Sequence, residues 1–412
     1  MSNTSLNIIN RPPQQVQGDK PLAVYIHWPF CKSKCPYCDF NSHVREQVEQ
    51  DRWKSALLRE METMAAHLPD RRVTSIFFGG GTPSLMPVAT VEALIERVHK
   101  LWPVAGDIEI TLEANPTSVE THSFRDFKQA GINRVSLGVQ SLQASELKFL
   151  GREHSVTEAR SAIELAQKTF DRYSFDLIYA RPNQTVAAWE AELNEALMLA
   201  DGHLSLYQLT IEENTAFHHA YAKGGFTLPN ESEAEALYRQ TESIMAEHGL
   251  FAYEVSNYAK PGQESRHNLA YWQGVDYIGV GPGAHGRMTL KKEMPSAGPQ
   301  QEQNLRIATA TLKSPERWLE AVERKGNAID VWQEVERQQE AEERLMMGLR
   351  LPEGIAYAVF EAQAGYDLRP YLNQSRIDLY VAKGLLADDP ERLRTTLNGR
   401  LVLGTLTAEL LA

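Results

Sequence analysis

The 412-residue sequence predicts an α/β fold: an incomplete (β/α)6 barrel followed by a C-terminal helical domain. Three observations favour it. Six short apolar runs alternate with longer amphipathic stretches up to about residue 210, all the cysteines fall within eight positions, and the pattern changes beyond residue 210. Strands that alternate with helices indicate a parallel sheet with right-handed crossovers. Six such units close only part of a barrel.

Each predicted strand is a short apolar run, and each predicted helix has apolar residues at spacings of three and four. In chain order, the strand and helix pairs are Leu22–Ile26 and Gln50–Leu68, Val73–Phe78 and Val88–Trp102, Ile108–Glu113 and Glu120–Gln129, Arg134–Val139 and Ser155–Lys168, and Tyr173–Ile178 and Val186–Ala200. The sixth strand is His203–Leu209, and a long helix is expected at Glu231–His248, beyond the change of pattern.

Composition along the chain predicts the domain organisation. Residues 1–20 are polar and read as a flexible lead-in, and 21–295 hold the barrel with its extension. A turn-rich, polar connector is expected at 296–312, and the more charged, helical region 313–412 forms the C-terminal domain. Within that domain, Thr396–Leu401 resembles a hairpin turn.

Charge and hydropathy exclude several classes of protein. Asp and Glu number 54 against 42 Lys and Arg, giving a formal net charge of −12, whereas nucleic-acid binding needs a basic face. No stretch approaches the 18 or more apolar residues of a membrane span. The first residues lack the basic start and apolar stretch of a signal peptide. We therefore expect a cytoplasmic protein with no nucleic-acid partner.

The three cysteines of the chain, Cys31, Cys35 and Cys38, have CxxxCxxC spacing. Three thiolates alone cannot complete a tetrahedral zinc site. They can hold three irons of a 4Fe–4S cluster and leave the fourth iron open for a small ligand. The alternatives are a zinc site completed by His27 or His43, or three unrelated thiols.

Two features flank this cysteine loop in the predicted barrel. Tyr37 lies between the last two cysteines, where it can shield a cluster and pack against an adenine ring or simply fill the loop. The run Gly79-Gly80-Gly81-Thr82 follows the second strand, where glycines let a backbone approach a ligand closely. Its N–H and C=O groups could then bind an amino and a carboxylate group. On its own the run could also be a tight turn.

Polar residues follow the later strands. Glu113 ends the third strand and Gln140 the fourth, Arg152 follows in the next loop, and Asp176 lies in the fifth strand. Each alone could serve a structural role. Together they fall at successive strand ends, where parallel α/β folds carry their chemistry.

The chain resembles the HemN/HemW branch of radical S-adenosylmethionine (SAM) proteins. The phrases that match are Tyr-Ile-His-Trp-Pro-Phe-Cys, Gly-Gly-Gly-Thr-Pro-Ser, Glu-Ala-Asn-Pro, Gly-Val-Gln-Ser and Gly-Ala-His-Gly. The resemblance implies a 4Fe–4S cluster on the three cysteines and a winged-helix-like form for the C-terminal domain. The residues that it implies for SAM binding are Tyr25, Gly80, Gly81, Thr82, Glu113, Gln140, Arg152 and Asp176.

Two branches of that family differ beside the third cysteine. Oxygen-independent coproporphyrinogen III oxidases usually carry a fourth cysteine where this chain has Phe40. Phe40 therefore places the chain on the haem-chaperone side. An oxidase that decarboxylates coproporphyrinogen III remains the alternative, and a radical SAM enzyme for another tetrapyrrole or an unrelated substrate is a third reading. The sequence leaves open whether SAM is cleaved.

The run His267-Asn-Leu-Ala-Tyr271-Trp272 matches the chaperone side and yields haem-binding candidates. An imidazole can ligate haem iron, and Tyr271 and Trp272 offer flat apolar surface to a porphyrin. The competing interpretation is that His267 serves the local structure and the aromatics fill the core. His285, in Gly-Ala-His-Gly, is a second candidate with a competing role in a turn.

The chain departs from the family at Ala180 and Arg181, where Gly-Leu is usual, so the loop beside the SAM residues is expected to differ in shape. The resemblance also implies partners. They are haem, a cytoplasmic or membrane-associated haem acceptor and, if SAM is cleaved, an electron donor such as flavodoxin or ferredoxin.

Overall fold

Six parallel strands, β1 to β6, form the barrel wall in the computed structural model, which describes residues 20–292 and 303–411. They are β1 (Lys20–Trp28), β2 (Arg71–Gly80), β3 (Val104–Ala114), β4 (Arg134–Gln140), β5 (Arg172–Tyr179) and β6 (His203–Gln208). Neighbours in the chain are neighbours in the sheet, and all their carboxyl ends lie on one side. The predicted (β/α)6 partial barrel is confirmed. The predicted lead-in 1–20 lies, except for Lys20, outside the described residues.

Helices connect the strands and cover the outer face of the sheet. They are Gln50–Ala65, Val88–Leu101, Ser118–Thr121, Phe124–Gln129, Ala144–Phe149, Val156–Thr169, Val186–Leu197, Ala216–Ala222 and Glu231–Glu247, with a 3-10 turn at Pro83–Leu85. Local sequence fixes several helix starts. Ser155 and Asn230 each form a capping box, in which the side chain accepts from a backbone N–H of the first turn. Apolar strand residues such as Leu22 and Phe175 are fully buried beneath the helices.

The sheet continues beyond both edges of the barrel. A two-residue pair, Phe30–Cys31 with His43–Val44, closes the cysteine loop. The remaining strands are Phe251–Ala252, Asn257–Ala259, Asp276–Val280, His285–Lys292, Gln303–Thr311 and Ile329–Glu334. Asp276–Val280 runs parallel to β1, and the three strands that follow it are antiparallel. Helices Arg266–Trp272 and Pro315–Lys325 accompany this extension.

The extension corrects the predicted connector at 296–312. Gln303–Thr311 is a full strand paired with His285–Lys292, and Trp318 and Val322 are buried in the barrel core. Glu60, on the first barrel helix, accepts hydrogen bonds from the backbone N–H groups of Gly281 and Ala328. These contacts hold the extension against the barrel. The separate core of the C-terminal domain begins only beyond residue 335.

The C-terminal domain has a core of its own, which includes Leu345, Phe360 and Leu393. Its helices are Arg337–Gly348, Tyr357–Ala364, Gln374–Ala382, Leu397–Leu401 and Leu403–Glu409, with a 3-10 turn at Arg369–Tyr371. Strands Ile355–Ala356, Arg392–Thr395 and Leu386–Asp388 form an antiparallel sheet. Helices with such a small sheet agree with the winged-helix-like prediction.

The hairpin predicted at Thr396–Leu401 is wrong. Thr396 is the N-cap of helix Leu397–Leu401, because its hydroxyl accepts from the Gly399 N–H at 3.1 Å. The strand pair lies a few residues earlier. Across the described parts of the chain, no helix is both long enough and apolar enough to span a bilayer.

Candidate cofactor site at the carboxyl ends of the barrel strands

The cysteine loop follows β1 and places its three thiols at the rim of the barrel mouth. Cys31, Cys35 and Cys38 are all partly exposed and unpaired. The Thr82 hydroxyl lies 3.5 Å from Cys31 Sγ, and a guanidinium N–H of Arg152 donates to Cys35 Sγ at 3.1 Å. Burial raises the pKa of the Cys31 and Cys38 thiols, so bound iron would have to displace their protons.

The glycine run after β2 lies directly against this loop. Gly80 has a φ of +113°, and a Cβ there would lie 2.6 Å from the His27 ring. The N–H groups of Gly81 and Thr82 donate to the carbonyls of Trp28 and Phe30 at 2.7 and 2.9 Å. These two N–H groups are therefore not free for a ligand, contrary to the prediction.

The zinc alternative finds no support in the histidines near the cysteines. His27 Nδ1 lies 3.0 Å from the Tyr25 hydroxyl, and its Nε2 lies 2.9 Å from the Asn41 carbonyl oxygen. Nε2 of His43 is 3.1 Å from Asn41 Oδ1. Within residues 20–292 and 303–411, no three His, Cys, Asp or Glu side chains converge as a single ion requires. In a 4Fe–4S cluster each thiolate binds a different iron, so the sulfurs need not converge.

Two carboxyl groups face each other inside the barrel mouth. Burial and the nearby Asp176 raise the pKa of Glu113 to about 8. Burial raises the pKa of Asp176 to about 6, against the effect of the Ser205 hydroxyl. The Gly80 N–H donates to Glu113 Oε2 at 3.3 Å. A cationic ligand between the two carboxyl groups would relieve their repulsion, as the sulfonium and ammonium charges of SAM would.

Gln140 and Arg152 complete the polar wall. Gln140 has a left-handed backbone with a φ of 71°, and its Oε1 is buried with no hydrogen-bond partner among the described residues. Such strain and such an unpaired acceptor are typical of ligand sites. Arg152 donates to the Gly138 carbonyl at 2.7 Å and also to Asn115 Oδ1.

Asn115 and Glu120 belong to this site although the sequence reasoning missed them. Asn115 contacts Arg152, the Thr82 hydroxyl at 3.3 Å and Glu120 Oε1 at 3.2 Å. It thereby links the loops after β2, β3 and β4. A signal was present, because Asn115 lies two residues after Glu113 and so projects from the same face of an extended chain.

These groups surround a cavity of about 1060 Å³, called the first cavity here. Its lining includes the predicted residues Cys31, Cys35, Cys38, Tyr37, Gly80, Gly81, Thr82, Glu113, Gln140, Arg152 and Asp176. Tyr37 sits with its ring centroid 6.2 Å from that of Phe217. Arg350 and Arg400 of the C-terminal domain also line this cavity, so that domain covers part of the barrel mouth.

Tyr25 does not line the first cavity. It lines a second cavity of about 540 Å³, which the first cavity adjoins through shared residues Phe40, Gly80 and Glu113. The Tyr25 hydroxyl bonds to His27. Phe40, at the position of the fourth cysteine in the oxidases, is 58 % exposed at this junction.

The haem candidates divide between two environments. His267 is fully buried, and both of its ring nitrogens have partners: the Ser75 hydroxyl at 2.9 Å from Nδ1 and the Tyr271 hydroxyl at 2.9 Å from Nε2. Burial lowers the pKa of His267 to about 3. Tyr271 and Trp272 line the second cavity. Both ring nitrogens of His267 thus have hydroxyl partners in this structure, and a haem-binding role for His267 stays a prediction.

The donor set around the first cavity fits a 4Fe–4S cluster with bound SAM. Three thiols lie at one rim, the glycine run packs closely against the cysteine loop, and an unpaired amide oxygen and two buried carboxyl groups line the cavity. These groups suit a ligand that carries hydroxyl donors and positive charge.

Comparison with protein families supports this interpretation. The model of the Radical SAM superfamily matches residues 25–196, and that of the HemN C-terminal domain matches residues 335–402. The first match contains the cysteine loop and strands β2 to β5. The second match coincides with the separate C-terminal core.

Two curated relatives and one solved structure extend the comparison. An Escherichia coli (strain K12) protein named heme chaperone HemW is 36% identical over 397 residues, which are 95% of this chain and 98% of that protein. A Danio rerio protein named radical S-adenosyl methionine domain-containing protein 1, mitochondrial, is 39% identical over 82% of this chain and 75% of its own length. The structure of E. coli coproporphyrinogen III oxidase (HemN) has a TM-score of 0.76 at 21% identity and covers 95% of this chain and 90% of its own. The last match concerns the fold alone.

Proposed function

The chain belongs to the radical SAM superfamily, in the group that contains the proteins named heme chaperone HemW, and we propose that it is a haem chaperone. It would bind haem and pass it to an acceptor haemoprotein. The observation that carries this function is the similarity to heme chaperones along almost the whole chain, together with Phe40 in place of the oxidases' fourth cysteine.

Membership of the superfamily implies a 4Fe–4S cluster and SAM. We propose that Cys31, Cys35 and Cys38 hold the cluster, in agreement with their position at the rim of the first cavity. When bound, the cluster supplies an electron that can cleave a carbon–sulfur bond of SAM. Arg152 would place positive charge beside the Cys35 thiolate, and Tyr37 would shield that thiolate from solvent.

For SAM, the first cavity supports a division of roles. Glu113 and the glycine-run carbonyls would accept from the methionine ammonium, and Asp176 would face the sulfonium charge or a ribose hydroxyl. Gln140 offers its unpaired oxygen to a hydroxyl donor. Tyr25, on the second cavity, would act through His27 on the cysteine loop. A cytoplasmic location, a membrane-associated acceptor and a flavodoxin or ferredoxin donor stay predictions.

The alternative is an oxygen-independent coproporphyrinogen III oxidase. Anaerobic incubation of the cluster-loaded protein with SAM, a reductant and coproporphyrinogen III separates the two functions. We expect no protoporphyrinogen by chromatography, but transfer of bound haem to apomyoglobin, followed by its absorption spectrum. Many turnovers of porphyrinogen per protein would overturn the chaperone function.

A further inference from the structure

Two residues that contact cysteine sulfurs meet at one side chain, Asn115. The guanidinium of Arg152 donates to Cys35 Sγ at 3.1 Å. The Thr82 hydroxyl lies 3.5 Å from Cys31 Sγ. The Asn115 amide contacts both donors, because its Oδ1 accepts from Arg152 and its Nδ2 donates to Thr82 Oγ1 at 3.3 Å. A single amide therefore reaches two of the three thiols, each through one intermediate side chain.

The positive charge of Arg152 is held beside the Cys35 sulfur without being neutralised by its oxygen acceptors. These acceptors are Asn115 Oδ1 and the Gly138 carbonyl at 2.7 Å, and both are uncharged. Both receive Nη2, whereas Nη1 donates to the sulfur. A guanidinium is planar and rigid, so fixing one of its nitrogens also fixes the other. Asn115 thus helps to set the position of a cation beside a proposed cluster ligand.

Glu120 determines which end of the Asn115 amide faces Arg152. The Glu120 side chain is buried, and its Oε1 accepts from Asn115 Nδ2 at 3.2 Å. Its Oε2 accepts from the Asn115 backbone N–H at 2.8 Å and also from the Ser84 hydroxyl. A carboxylate can only accept and an amide nitrogen can only donate. The amide nitrogen is therefore directed to Glu120, and the amide oxygen is directed to Arg152.

Donors at the cysteine sulfurs are one means by which a protein tunes an iron–sulfur cluster. Reduction adds an electron to the cluster, and its potential depends on net charge, on hydrogen bonds to the sulfurs and on exposure to solvent. A cation at Cys35 favours the reduced form, because charges interact more strongly in a partly buried site than in water. The Thr82 hydroxyl acts in the same direction at Cys31. Displacement of these donors should make the potential more negative.

We propose that Asn115 and Glu120 are positioning residues that set the reduction potential of the cluster. They hold Arg152 and Thr82 against two of the three sulfurs, and so act through these donors. This inference rests on the proposed 4Fe–4S cluster and goes beyond it, because it assigns a task to the segment that follows β3.

Glu120→Gln separates positioning from a direct effect of charge. Removal of a negative charge, by itself, favours reduction and would raise the potential. Positioning predicts the opposite shift. Glutamine replaces one of the two acceptor oxygens by an N–H donor, so it cannot accept from both the side-chain and the backbone N–H of Asn115. In either orientation one N–H of Asn115 meets another donor, so Asn115 is displaced and Arg152 loses an anchor.

The test measures the midpoint potential of the full-length, cluster-loaded protein without SAM, in an anaerobic redox titration followed by electron paramagnetic resonance. Asn115→Leu keeps a side chain of similar size but removes both amide contacts. We expect this variant and Glu120→Gln each to lower the equilibrium constant for reduction at least tenfold, which is about 59 mV for one electron. Iron per protein should stay at the wild-type value.

Asn194→Leu and Glu164→Gln are the matched controls. Both residues are exposed on outer helices, Asn194 on Val186–Leu197 and Glu164 on Val156–Thr169. The same substitutions there should leave the potential at the wild-type value.

An unchanged or raised potential in the iron-loaded variants would overturn this inference and leave the cluster assignment in place. Glu120→Gln decides the question where the two variants differ or where Asn115→Leu does not fold. Loss of iron from both variants would also overturn it, because the pair would then be needed to build the cluster site and not to tune it. Wild-type protein that takes up no iron would instead overturn the proposed cluster itself.

Discussion

The guanidinium carbon of Arg350 lies 4.4 Å from the centroid of the Trp272 ring. Trp272 closes the His-Asn-x-x-Tyr-Trp run of the barrel extension, and Arg350 follows the first helix of the C-terminal domain. The same guanidinium pairs at 2.6 Å with Glu254, which is 1 % exposed. The motif that the sequence suggested for haem therefore also contributes to the contact between the barrel extension and the C-terminal domain.

Arg350→Ala should weaken this interdomain contact. Removal of the arginine leaves the buried Glu254 carboxylate without its cationic partner, with only the Ser256 N–H and the Asn257 amide of the described residues still donating to it, and also ends the contact with Trp272. Because Arg350 is itself partly exposed, we expect a loss of about 1–3 kcal/mol in the free energy of unfolding, less than for a fully buried pair. Urea unfolding measures it.

Arg369→Ala is the matched control, because Arg369 stacks on Tyr357 at the same 4.4 Å but remains within one domain and is exposed. We expect that control to lose less than about 1 kcal/mol. If Arg350→Ala and Arg369→Ala lose equal free energy of unfolding, the Arg350–Glu254 pair does not stabilise the interdomain contact.

Alanine at any one of Cys31, Cys35 or Cys38 should abolish a stable cluster. Two thiolates leave two irons without a protein ligand, so iron per protein and the brown absorption should both fall to background after anaerobic reconstitution. Ser33→Ala, within the same loop, should keep full iron. A cysteine variant with the wild-type iron content would contradict the three-thiolate assignment.

Glu113→Gln should change how the stability of the cofactor-free protein depends on pH. The ordinary pKa of Glu113 is 4.5 and its folded value is about 8, so between these values the native state holds a proton that the unfolded state has lost. The free energy of unfolding then falls as pH rises across this window, by at most about 1.4 kcal/mol per pH unit. Below pH 4.5 Glu113 is protonated in both the native and the unfolded state, so it no longer makes the free energy of unfolding depend on pH.

The comparison is urea unfolding of the wild type and Glu113→Gln at pH 6 and pH 8. The variant should lose less stability over that interval, because glutamine does not titrate. Glu92→Gln, at an exposed position of helix Val88–Leu101, should behave as the wild type. If the free energy of unfolding falls equally in the wild type and in Glu113→Gln between pH 6 and pH 8, the Glu113 proton does not contribute to this pH dependence.

The sequence predicted the barrel and most of the first cavity for one physical reason. Parallel strands bring their carboxyl ends to one edge, so residues as distant as Glu113 and Asp176 converge whatever the loops do. The strand Gln303–Thr311 escaped prediction because it pairs with a strand across a turn-rich segment that looked like a connector. The partners of His267 were equally hidden, since Ser75 lies 192 positions away in the chain.

Ala180→Gly should stabilise the protein. Ala180 has a φ of 55°, a left-handed conformation that costs an alanine about 1–2 kcal/mol and a glycine little. Glycine also has more freedom to lose on folding, so the net gain should be about 0.5–1 kcal/mol by urea unfolding. Ala191→Gly, at an exposed position in the middle of helix Val186–Leu197, should instead lower the free energy of unfolding by about 1 kcal/mol. If Ala180→Gly also lowers the free energy of unfolding, the left-handed backbone at Ala180 is not a source of strain.

The second departure from the family, Arg181, creates a buried ion pair with Glu192. Both residues are 2 % exposed, and the arginine also donates to the Ser141 hydroxyl at 2.6 Å. Glu192 in turn accepts from the Leu142 N–H at 2.9 Å, so the pair joins the loops after β4 and β5. Arg181→Leu leaves the buried Glu192 carboxylate without its cationic partner. We expect this variant to lose about 3–5 kcal/mol in the free energy of unfolding.

Neutralising the stranded carboxylate should recover part of that loss. Glutamine at 192 keeps an acceptor for the Leu142 N–H and removes the charge, so Arg181→Leu/Glu192→Gln should be more stable than Arg181→Leu alone. Glu192→Gln alone should be destabilising, because it weakens the partner of a buried guanidinium. In urea unfolding, this reversal of sign distinguishes a coupled pair from two independent contacts. If the losses of the single variants simply add, Arg181 holds the loop by packing and not through its charge.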